Sequence, residues 1–282
     1  MKPPIVDPID LALREDIGDG DVTSDFFVPK NQQALARIVA RERAILAGTE
    51  TAAEVFRRAD SALEITVVRN DGSEINPDES IIEVRGAARA ILKAERVALN
   101  FLQRLSGIAT MTREFVEAAA NQHVKILDTR KTTPGLRAFE KAAVVAGGGH
   151  NHRFGLFDMV MLKDNHLATA ADFDGFAKSV RKFRESHPDI QIEIEADTLE
   201  QVHAFLEIDG IDVILLDNMT PAQIREAIAL GKDKVKFEAS GGVTLKNVRQ
   251  IAATGVDYIS IGALTHSPRA IDLSLELTPL AP

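Results

Sequence analysis

Six short apolar segments recur through residues 124–262, and they constrain the fold more than any other feature of the sequence. They are VKILDT (124–129), MVMLK (159–163), QIEIEA (191–196), DVILLD (212–217), VKFEAS (235–240) and DYISIG (257–262). The last four begin about 22 residues apart. Continuous apolar strands alternating with helices are typical of a parallel sheet that is covered on both faces. We therefore expect an α/β fold containing a (β/α) barrel of fewer than eight strands, with a doubly wound open sheet as the alternative.

The residues at the ends of these segments are of types that can take part in chemistry. They are Asp128, Arg130, Lys163, Glu195, Asp217, Ser240 and Gly262. In barrel enzymes the active site lies where the carboxyl ends of the strands meet, so we expect these residues to share one rim. No G-x-G-x-x-G sequence follows any segment, which argues against a dinucleotide site of the Rossmann type.

The N-terminal part of the chain has a different pattern, in which short strands outnumber helices. Residues 34–43, 62–69 and 80–85 read as strands, and residues 49–58 read as a helix. This part is expected to form a separate α+β unit.

The tail 270–277 alternates apolar and polar residues, which predicts a half-buried strand. We expect this strand to return to the N-terminal sheet. The predicted domains are residues 1–109, joined by the tail 270–282, and residues 110–269.

Residues 88–105 predict a helix that is apolar around most of its circumference and is therefore buried in a core or against a partner. Arg96 lies within this helix. It is either a surface residue whose stem packs on the helix or a ligand contact supplied across a subunit interface.

The stretch from Asp128 to His166 concentrates positive charge in a chain whose net charge is −9. Its basic residues are Arg130, Lys131, Arg137, Lys141, Arg153 and Lys163, and its histidines are His150, His152 and His166. An acidic chain argues against a nucleic-acid partner, whereas a local cationic cluster attracts small anions. Several arginines together suit a planar dicarboxylate, because each guanidinium can bind a carboxylate through two hydrogen bonds. Zinc binding by the histidines is disfavoured, since the neighbouring cations would repel the metal.

Thr133 and Pro134 predict the start of a helix, with Thr133 as the N-cap and Pro134 at the first helical position. The helix is expected to continue to Ala146 and to end at Gly147. The glycines at 147–149 then allow a ligand to approach the backbone closely.

Two strand-end carboxylates, Glu195 and Asp217, have two interpretations. They form salt bridges with Lys163 or Lys236, or they bind ribose hydroxyls and position Mg²⁺, which takes one or two carboxylates together with substrate phosphates.

Two consecutive strands are followed by small residues that suit phosphate binding. These residues are Ser240, Gly241 and Gly242 in one loop and Gly262 and Ala263 in the next. In barrels the last two such loops commonly bind phosphate through backbone N–H groups.

The chain contains no cysteine, which fits a reducing compartment. The N-terminus lacks an apolar core of signal-peptide length, and no apolar run reaches the ~18 residues of a membrane span. We expect a cytoplasmic protein without membrane contact.

Taken in order, ERVALNFLQRLSGIAT, DTRKTTPGLRAFEKAAVVAGGGHNHRFGLFDMVMLKDNH, EIEAD, LLDNM, EASGGV and ISIGALTHS closely resemble the quinolinate phosphoribosyltransferase family. The resemblance covers nearly the whole chain. It implies an N-terminal α/β sandwich domain followed by an open, incomplete α/β barrel. It also implies an obligate dimer in which Arg96 enters the neighbouring subunit's site.

The resemblance further implies roles for individual residues. The positions that match quinolinate binding are Arg96, Arg130, Lys131, His152, Arg153 and Lys163. Glu195 and Asp217 match residues that hold the ribose of phosphoribosyl pyrophosphate, with Mg²⁺ nearby as cofactor. The positions that match the 5′-phosphate loops are Ser240, Gly241, Gly242, Gly262 and Ala263. Lys131, Glu195 and Asp217 are the expected catalytic residues.

Two other functions stay open on the sequence. One is a barrel lyase that uses Lys131 or Lys163 to form a Schiff base, which requires a lysine with a depressed pKa. The other is a related scaffold protein of the molybdate-associated group.

Overall fold

The structure is a computed structural model that describes residues 7–168, 173–231 and 233–281. It contains two compact units. The first comprises Met1–Arg113, Thr132–Gly148 and His266–Pro282, and the second comprises Glu114–Lys131 and Gly149–Thr265. The predicted domains include residues 1–6 and Pro282, which lie outside the described residues, and the boundary after residue 109 stays a prediction.

The helices and strands are numbered in chain order. The helices are α1 (Pro8–Ile17), α2 (Val22–Phe27), α3 (Thr49–Ala59), α4 (Ala88–Ala119), α5 (Arg137–Ala146), α6 (Asp164–Ala168), α7 (Phe173–Ser186), α8 (Leu199–Phe205), α9 (Pro221–Gly231), α10 (Val248–Ala252) and α11 (Ala263–His266). The strands are β1 (Gln33–Ala40), β2 (Ala44–Ile45), β3 (Glu64–Val67), β4 (Glu74–Ile75), β5 (Ser80–Ala87), β6 (Lys125–Leu127), β7 (Val160–Leu162), β8 (Ile192–Ala196), β9 (Val213–Asp217), β10 (Lys236–Ser240), β11 (Tyr258–Ser260) and β12 (Leu273–Pro279).

An antiparallel sheet with the strand order β12-β1-β5-β3 organises the first unit. Ala34, Ala36 and Ile38 alternate along β1 and are buried. They belong to one apolar core that also includes Phe56 of α3 and Leu102 of α4. Sheet and helices therefore form the expected α/β sandwich. The C-terminal strand β12 pairs with β1.

A parallel sheet with the strand order β6-β11-β10-β9-β8-β7 organises the second unit. From β7 to β11 each strand lies beside the next one in the chain, so the order never reverses as it does in a doubly wound sheet. The alternative of a doubly wound sheet is therefore wrong. Among the described residues β6 and β7 are the two edges, so the predicted open, incomplete barrel is confirmed.

The long helix α4 extends to Ala119, whereas the sequence pattern predicted an end near residue 105. Gly107 is the residue of 106–119 that most disfavours a helix, yet the helix continues through it. This glycine is needed for packing. A Cβ at Gly107 would lie 2.0 Å from the carbonyl oxygen of Arg269. The glycine therefore marks a close backbone approach and not a helix end.

The predicted helix start at Thr133 and Pro134 is wrong, because α5 begins at Arg137. The Thr133 hydroxyl accepts a hydrogen bond from Arg104 Nη2 at 2.7 Å, and the Thr133 N–H donates to Glu140 Oε2 at 3.0 Å. Both groups are thus engaged by other side chains, and Thr133 does not cap the helix. The predicted end at Gly147 is confirmed.

In the described part of the chain, no helix is both long enough and apolar enough to cross a membrane.

Candidate active site

Four strand ends of the second unit carry polar residues at one edge of the parallel sheet. The register pairs Ser240 with Asp217, and it places Glu195 beside Leu215 of the same strand as Asp217. Lys163 follows β7 and forms an ion pair with Glu195. One of the salt bridges considered from the sequence is therefore present.

Three carboxylates meet at this edge, namely Glu195, Asp197 and Asp217, with ligand oxygens within 4.8 Å of one another. Burial raises the pKa of Asp217, the negative charges of Glu195 and Asp197 raise it further, and Lys163 opposes this effect. Three carboxylates that lie this close together, one of them with a raised pKa, favour a bound cation, and oxygen ligands suit Mg²⁺. The donor set therefore fits the expected metal.

Asp197 is a member of this group that the sequence interpretation missed. It lies two positions after Glu195 in the segment EIEAD. Because alternate strand residues face the same side of a sheet, this spacing was a usable signal. Lys236 takes no part in the group, since its ammonium group pairs with Asp257 at 2.8 Å.

The loop before β7 begins as an added strand beside β6. His150 forms a parallel bridge with Leu127, and the Asp128 side chain accepts the His152 N–H at 2.9 Å. The loop is then closed by Asp158, whose carboxylate accepts the Phe154 N–H at 2.5 Å. These contacts fix the backbone of the loop on both sides of His152 and Arg153, which belong to the predicted anion site.

The His152 ring is 7% exposed and faces two carboxyl groups. Its Nε2 lies 3.0 Å from Glu193 Oε2 and 3.5 Å from Glu238 Oε2. The three histidines whose zinc binding the sequence disfavoured are not the residues that surround this ring. Within the described residues, the potential metal-binding group that contains His152 consists of this histidine and the two glutamates.

Arg130 affects the neighbouring guanidinium of Arg153 in the predicted anion site. Burial lowers the pKa of Arg153, and the positive charge of Arg130 lowers it further. Arg153 also donates from Nη1 to the carbonyl oxygen of Met159 at 3.5 Å. Two partly buried cations with like charge make an environment that favours an anion.

The two phosphate-binding loops predicted from the sequence have glycine-dependent and hydrogen-bonded backbones. Gly241 and Gly242 have φ of +87° and +60°, and the Gly242 carbonyl accepts from Asn247 Nδ2 at 3.0 Å. In the next loop, the Thr265 N–H donates to Gly262 O at 3.2 Å, which turns the chain into α11.

Lys131 is tied to the second of these loops through its backbone. Its carbonyl accepts from the Thr265 hydroxyl at 2.8 Å, and its N–H donates to Thr129 Oγ1 at 3.1 Å. The Lys131 side chain is exposed. Ala263 begins α11 in the same loop.

Arg96 lies in the first unit, where it is exposed on α4. Burial raises the pKa of its neighbour Glu95, and the charge of Arg96 opposes that rise. The exposure of Arg96 fits either of the roles considered from the sequence.

Comparison with known proteins identifies the family. The family described as "Quinolinate phosphoribosyl transferase, C-terminal domain" matches residues 108–276, and "Quinolinate phosphoribosyl transferase, N-terminal domain" matches residues 21–106. The chain is 45% identical over 264 residues to the "Probable nicotinate-nucleotide pyrophosphorylase [carboxylating]" of Bacillus subtilis, covering 94% of this chain and 90% of the relative. It is 42% identical to a mitochondrial quinolinate phosphoribosyltransferase of Nicotiana glauca, covering 98% and 85%.

Solved structures agree with these matches. NadC from Streptococcus pyogenes has a TM-score of 0.91 and 38% identity, covering 97% of this chain and 96% of its own. The nicotinate-nucleotide pyrophosphorylase from Francisella tularensis also has a TM-score of 0.91, at 37% identity and 98% coverage of both chains. This chain therefore belongs to the quinolinate phosphoribosyl transferase family.

Proposed function

We propose that the chain is a quinolinate phosphoribosyltransferase, a carboxylating nicotinate-nucleotide diphosphorylase. It converts quinolinate and phosphoribosyl pyrophosphate into nicotinate mononucleotide, pyrophosphate and CO₂ in NAD biosynthesis. The observation that supports this best is the meeting of opposite charges in the second unit. Cations that suit a dicarboxylate follow strands of the parallel sheet. A cluster of carboxylates that suits ribose and a metal follows strands of the same sheet.

Quinolinate is held in this proposal by the cationic residues. Arg130 and Arg153 bind its carboxylates, because a guanidinium fork matches a carboxylate in two places. Lys163 adds a point charge at the end of β7, and His152 contacts the same substrate. Lys131 orients the carboxylate that is lost.

Phosphoribosyl pyrophosphate is held at the neighbouring strand ends. Glu195 and Asp217 bind the ribose hydroxyls, and together with Asp197 they would hold Mg²⁺. Bound there, the metal would neutralise charge on the pyrophosphate. The backbone N–H groups of the loops 240–242 and 262–263 bind the 5′-phosphate, as in other barrels whose last loops carry phosphate sites.

The reaction begins with departure of pyrophosphate from the anomeric carbon, which leaves positive charge on the ribose. The anionic Glu195 and Asp217 stabilise this charge because they are fixed beside it before the reaction starts. The quinolinate ring nitrogen then bonds to the anomeric carbon from the opposite face. The resulting pyridinium accepts the electron pair that CO₂ leaves at C2, and that carbon is then protonated. Lys131 is the candidate for orienting this last step.

The same proposal includes a homodimer, with Arg96 of one subunit reaching the site of the other, and a cytoplasmic location. The exposure of Arg96 on α4 supports its availability to a partner. Quinolinate, phosphoribosyl pyrophosphate and a second copy of the chain are thus the proposed partners.

The decisive assay combines purified protein, quinolinate, phosphoribosyl pyrophosphate and Mg²⁺ and follows CO₂ together with nicotinate mononucleotide. Nicotinate in place of quinolinate is the substrate control. Glu195→Gln should abolish turnover, whereas Glu207→Gln, at an exposed glutamate, should retain it. Absence of both products from the wild-type protein would refute the proposal and favour the non-catalytic, molybdate-associated alternative.

The Schiff-base alternative is tested in parallel by borohydride trapping with a carbonyl substrate. The structure offers little support for it at Lys163, whose side chain is 42% exposed and pairs with Glu195. A lysine that forms an imine is normally desolvated or placed beside another cation.

A further inference from the structure

A buried polar cluster lies beneath the predicted anion site of the second unit. It consists of His152, Glu193 and Glu238, whose side chains are 7%, 2% and 2% exposed. Glu193 and Glu238 each precede a predicted site residue by two positions, on β8 and β10. Residues two apart on a strand face the same way, so both acids lie one step deeper than Glu195 and Ser240.

Both carboxyl groups are directed at a single nitrogen. Each places its Oε2 near His152 Nε2, whereas the Oε1 of each is buried without a hydrogen-bond partner among the described residues. A buried carboxyl that leaves one oxygen unpaired loses much of the stabilisation that water gave it. The contact that remains for each carboxyl group is the one between its Oε2 and His152 Nε2.

The other side of the imidazole faces the backbone. His152 Nδ1 accepts the N–H of Arg153 at 2.7 Å, and the His152 N–H donates to Asp128 Oδ1 at 2.9 Å. An Nδ1 that carries a proton cannot accept a hydrogen bond. The geometry around Nδ1 therefore requires the neutral imidazole with its proton on Nε2.

The charges of the cluster also affect the protonation of the His152 imidazole. Burial opposes a charged imidazole, but the two glutamates outweigh it and raise the pKa of His152 to about 10. Burial and the charge of Glu238 also raise the pKa of Glu193. The geometry nevertheless decides the tautomer, because a proton on Nδ1 would face the Arg153 N–H.

We propose that Glu193 and Glu238 are positioning residues for the quinolinate site. They hold the His152 imidazole in the tautomer that is protonated on Nε2. Its Nδ1 then accepts the Arg153 N–H and fixes the backbone from which the Arg153 guanidinium extends. This proposal deepens the proposed function and rests on it for the identity of the anion.

The tautomer is tested directly on the free protein by nuclear magnetic resonance with ¹⁵N-labelled histidine near neutral pH. The signal of His152 is assigned by its loss in His152→Asn. We expect a protonated Nε2 and an unprotonated Nδ1. Protonation of both nitrogens would overturn the proposal. The measurement needs no substrate, so it stands even if the wild-type protein makes no nicotinate mononucleotide.

The positioning role is tested by quinolinate affinity in two variants of Glu193. Glu193→Gln keeps an oxygen acceptor for Nε2–H, whereas Glu193→Leu removes it. We expect Glu193→Leu to weaken quinolinate binding about tenfold or more, Glu193→Gln to stay within about threefold, and phosphoribosyl pyrophosphate affinity to change little in either. Equal loss for both substrates would indicate a general structural role and overturn the proposal.

A double variant that combines Glu193→Leu with His152→Asn distinguishes a positioning role of Glu193 from a role in folding. In that background Glu193→Leu should cause no further loss of quinolinate affinity, because the ring it holds is gone. An undiminished further loss would count against the proposal. If Glu193→Leu does not fold, Glu238→Leu replaces it in both experiments. A smaller loss is then expected, since Glu238 is farther from Nε2.

Discussion

Gly241 and Gly242 are neighbours in the loop after β10, yet we expect alanine to affect stability very differently at the two positions. Both have positive φ values, +87° and +60°. A Cβ on Gly241 would lie 2.2 Å from Asn218 Oδ1 and 3.0 Å from Asn218 N. A Cβ on Gly242 would have no atom within 4 Å. The pair therefore separates backbone strain from steric overlap.

The magnitudes follow from these contacts. Forcing alanine into the left-handed region costs about 1 kcal/mol at either position. In Gly241→Ala the Asn218 side chain must also turn away, which breaks its 2.7 Å hydrogen bond to Asp217. The Asn218 N–H cannot move as easily, because it donates to Ser240 O at 2.9 Å. We expect a total loss of about 2–3 kcal/mol for Gly241→Ala and about 1 kcal/mol for Gly242→Ala.

Urea unfolding of the ligand-free protein measures both losses, provided that the dependence on denaturant is the same in the two variants. Quinolinate affinity serves as a control for the rest of the site and should be retained in both. Equal losses of unfolding free energy at the two positions would refute the steric argument, and so would a larger loss at Gly242.

Three further predictions concern substrate binding, assembly and pH. Arg153→Lys retains the charge but loses the two-point contact, so quinolinate should bind about 1.5–3 kcal/mol more weakly in a calorimetric titration, and unchanged affinity would contradict the role of Arg153. Mixed dimers of inactive Arg96→Ala and Lys163→Ala subunits should recover about a quarter of wild-type activity, because half of the dimers contain one intact shared site; no recovery after confirmed subunit exchange would argue against sharing. Hydrogen bonds from Arg269 and the backbone lower the pKa of Glu42 from 4.5 to about 2. Glu42→Gln should therefore cost about 1–2 kcal/mol of unfolding free energy above pH 4.5, with allowance for the exposed arginine, and the difference should vanish as the pH falls to 2; a constant difference in acid would contradict this.

The strand-end part of the site could be predicted from the sequence, because parallel strands necessarily bring their carboxyl ends to one edge. Glu195, Asp217 and Ser240 lie where the periodicity of the apolar segments placed them. The pairing of Lys163 with Glu195 could be expected only as one of several salt bridges. Choosing among these required the strand order, which local sequence does not encode.

Two kinds of feature escaped prediction. Glu193 and Glu238 stand inside segments that read as continuous apolar strands, so their burial opposite His152 depends on contacts between distant parts of the chain. The helix start at Thr133 failed for a related reason. A capping threonine is a local preference, and here Arg104 and Glu140 bind its hydroxyl and N–H more favourably.

The ion pair between Lys163 and Glu195 links the two halves of the proposed site. In the free protein each charge is balanced by the other, so neither is fully available to a substrate. Under the proposed function, a ribose hydroxyl that donates to Glu195 would weaken its ion pair with Lys163. A quinolinate carboxylate that pairs with Lys163 would leave Glu195 to face the positive ribose. In this scheme the ribose hydroxyl replaces Lys163 at Glu195, and the quinolinate carboxylate replaces Glu195 at Lys163. The two oppositely charged residues can therefore lie close together without repelling either substrate. In this proposal the charge of Glu195 would be least compensated when the positive charge on the ribose develops, which is when it would contribute most to catalysis.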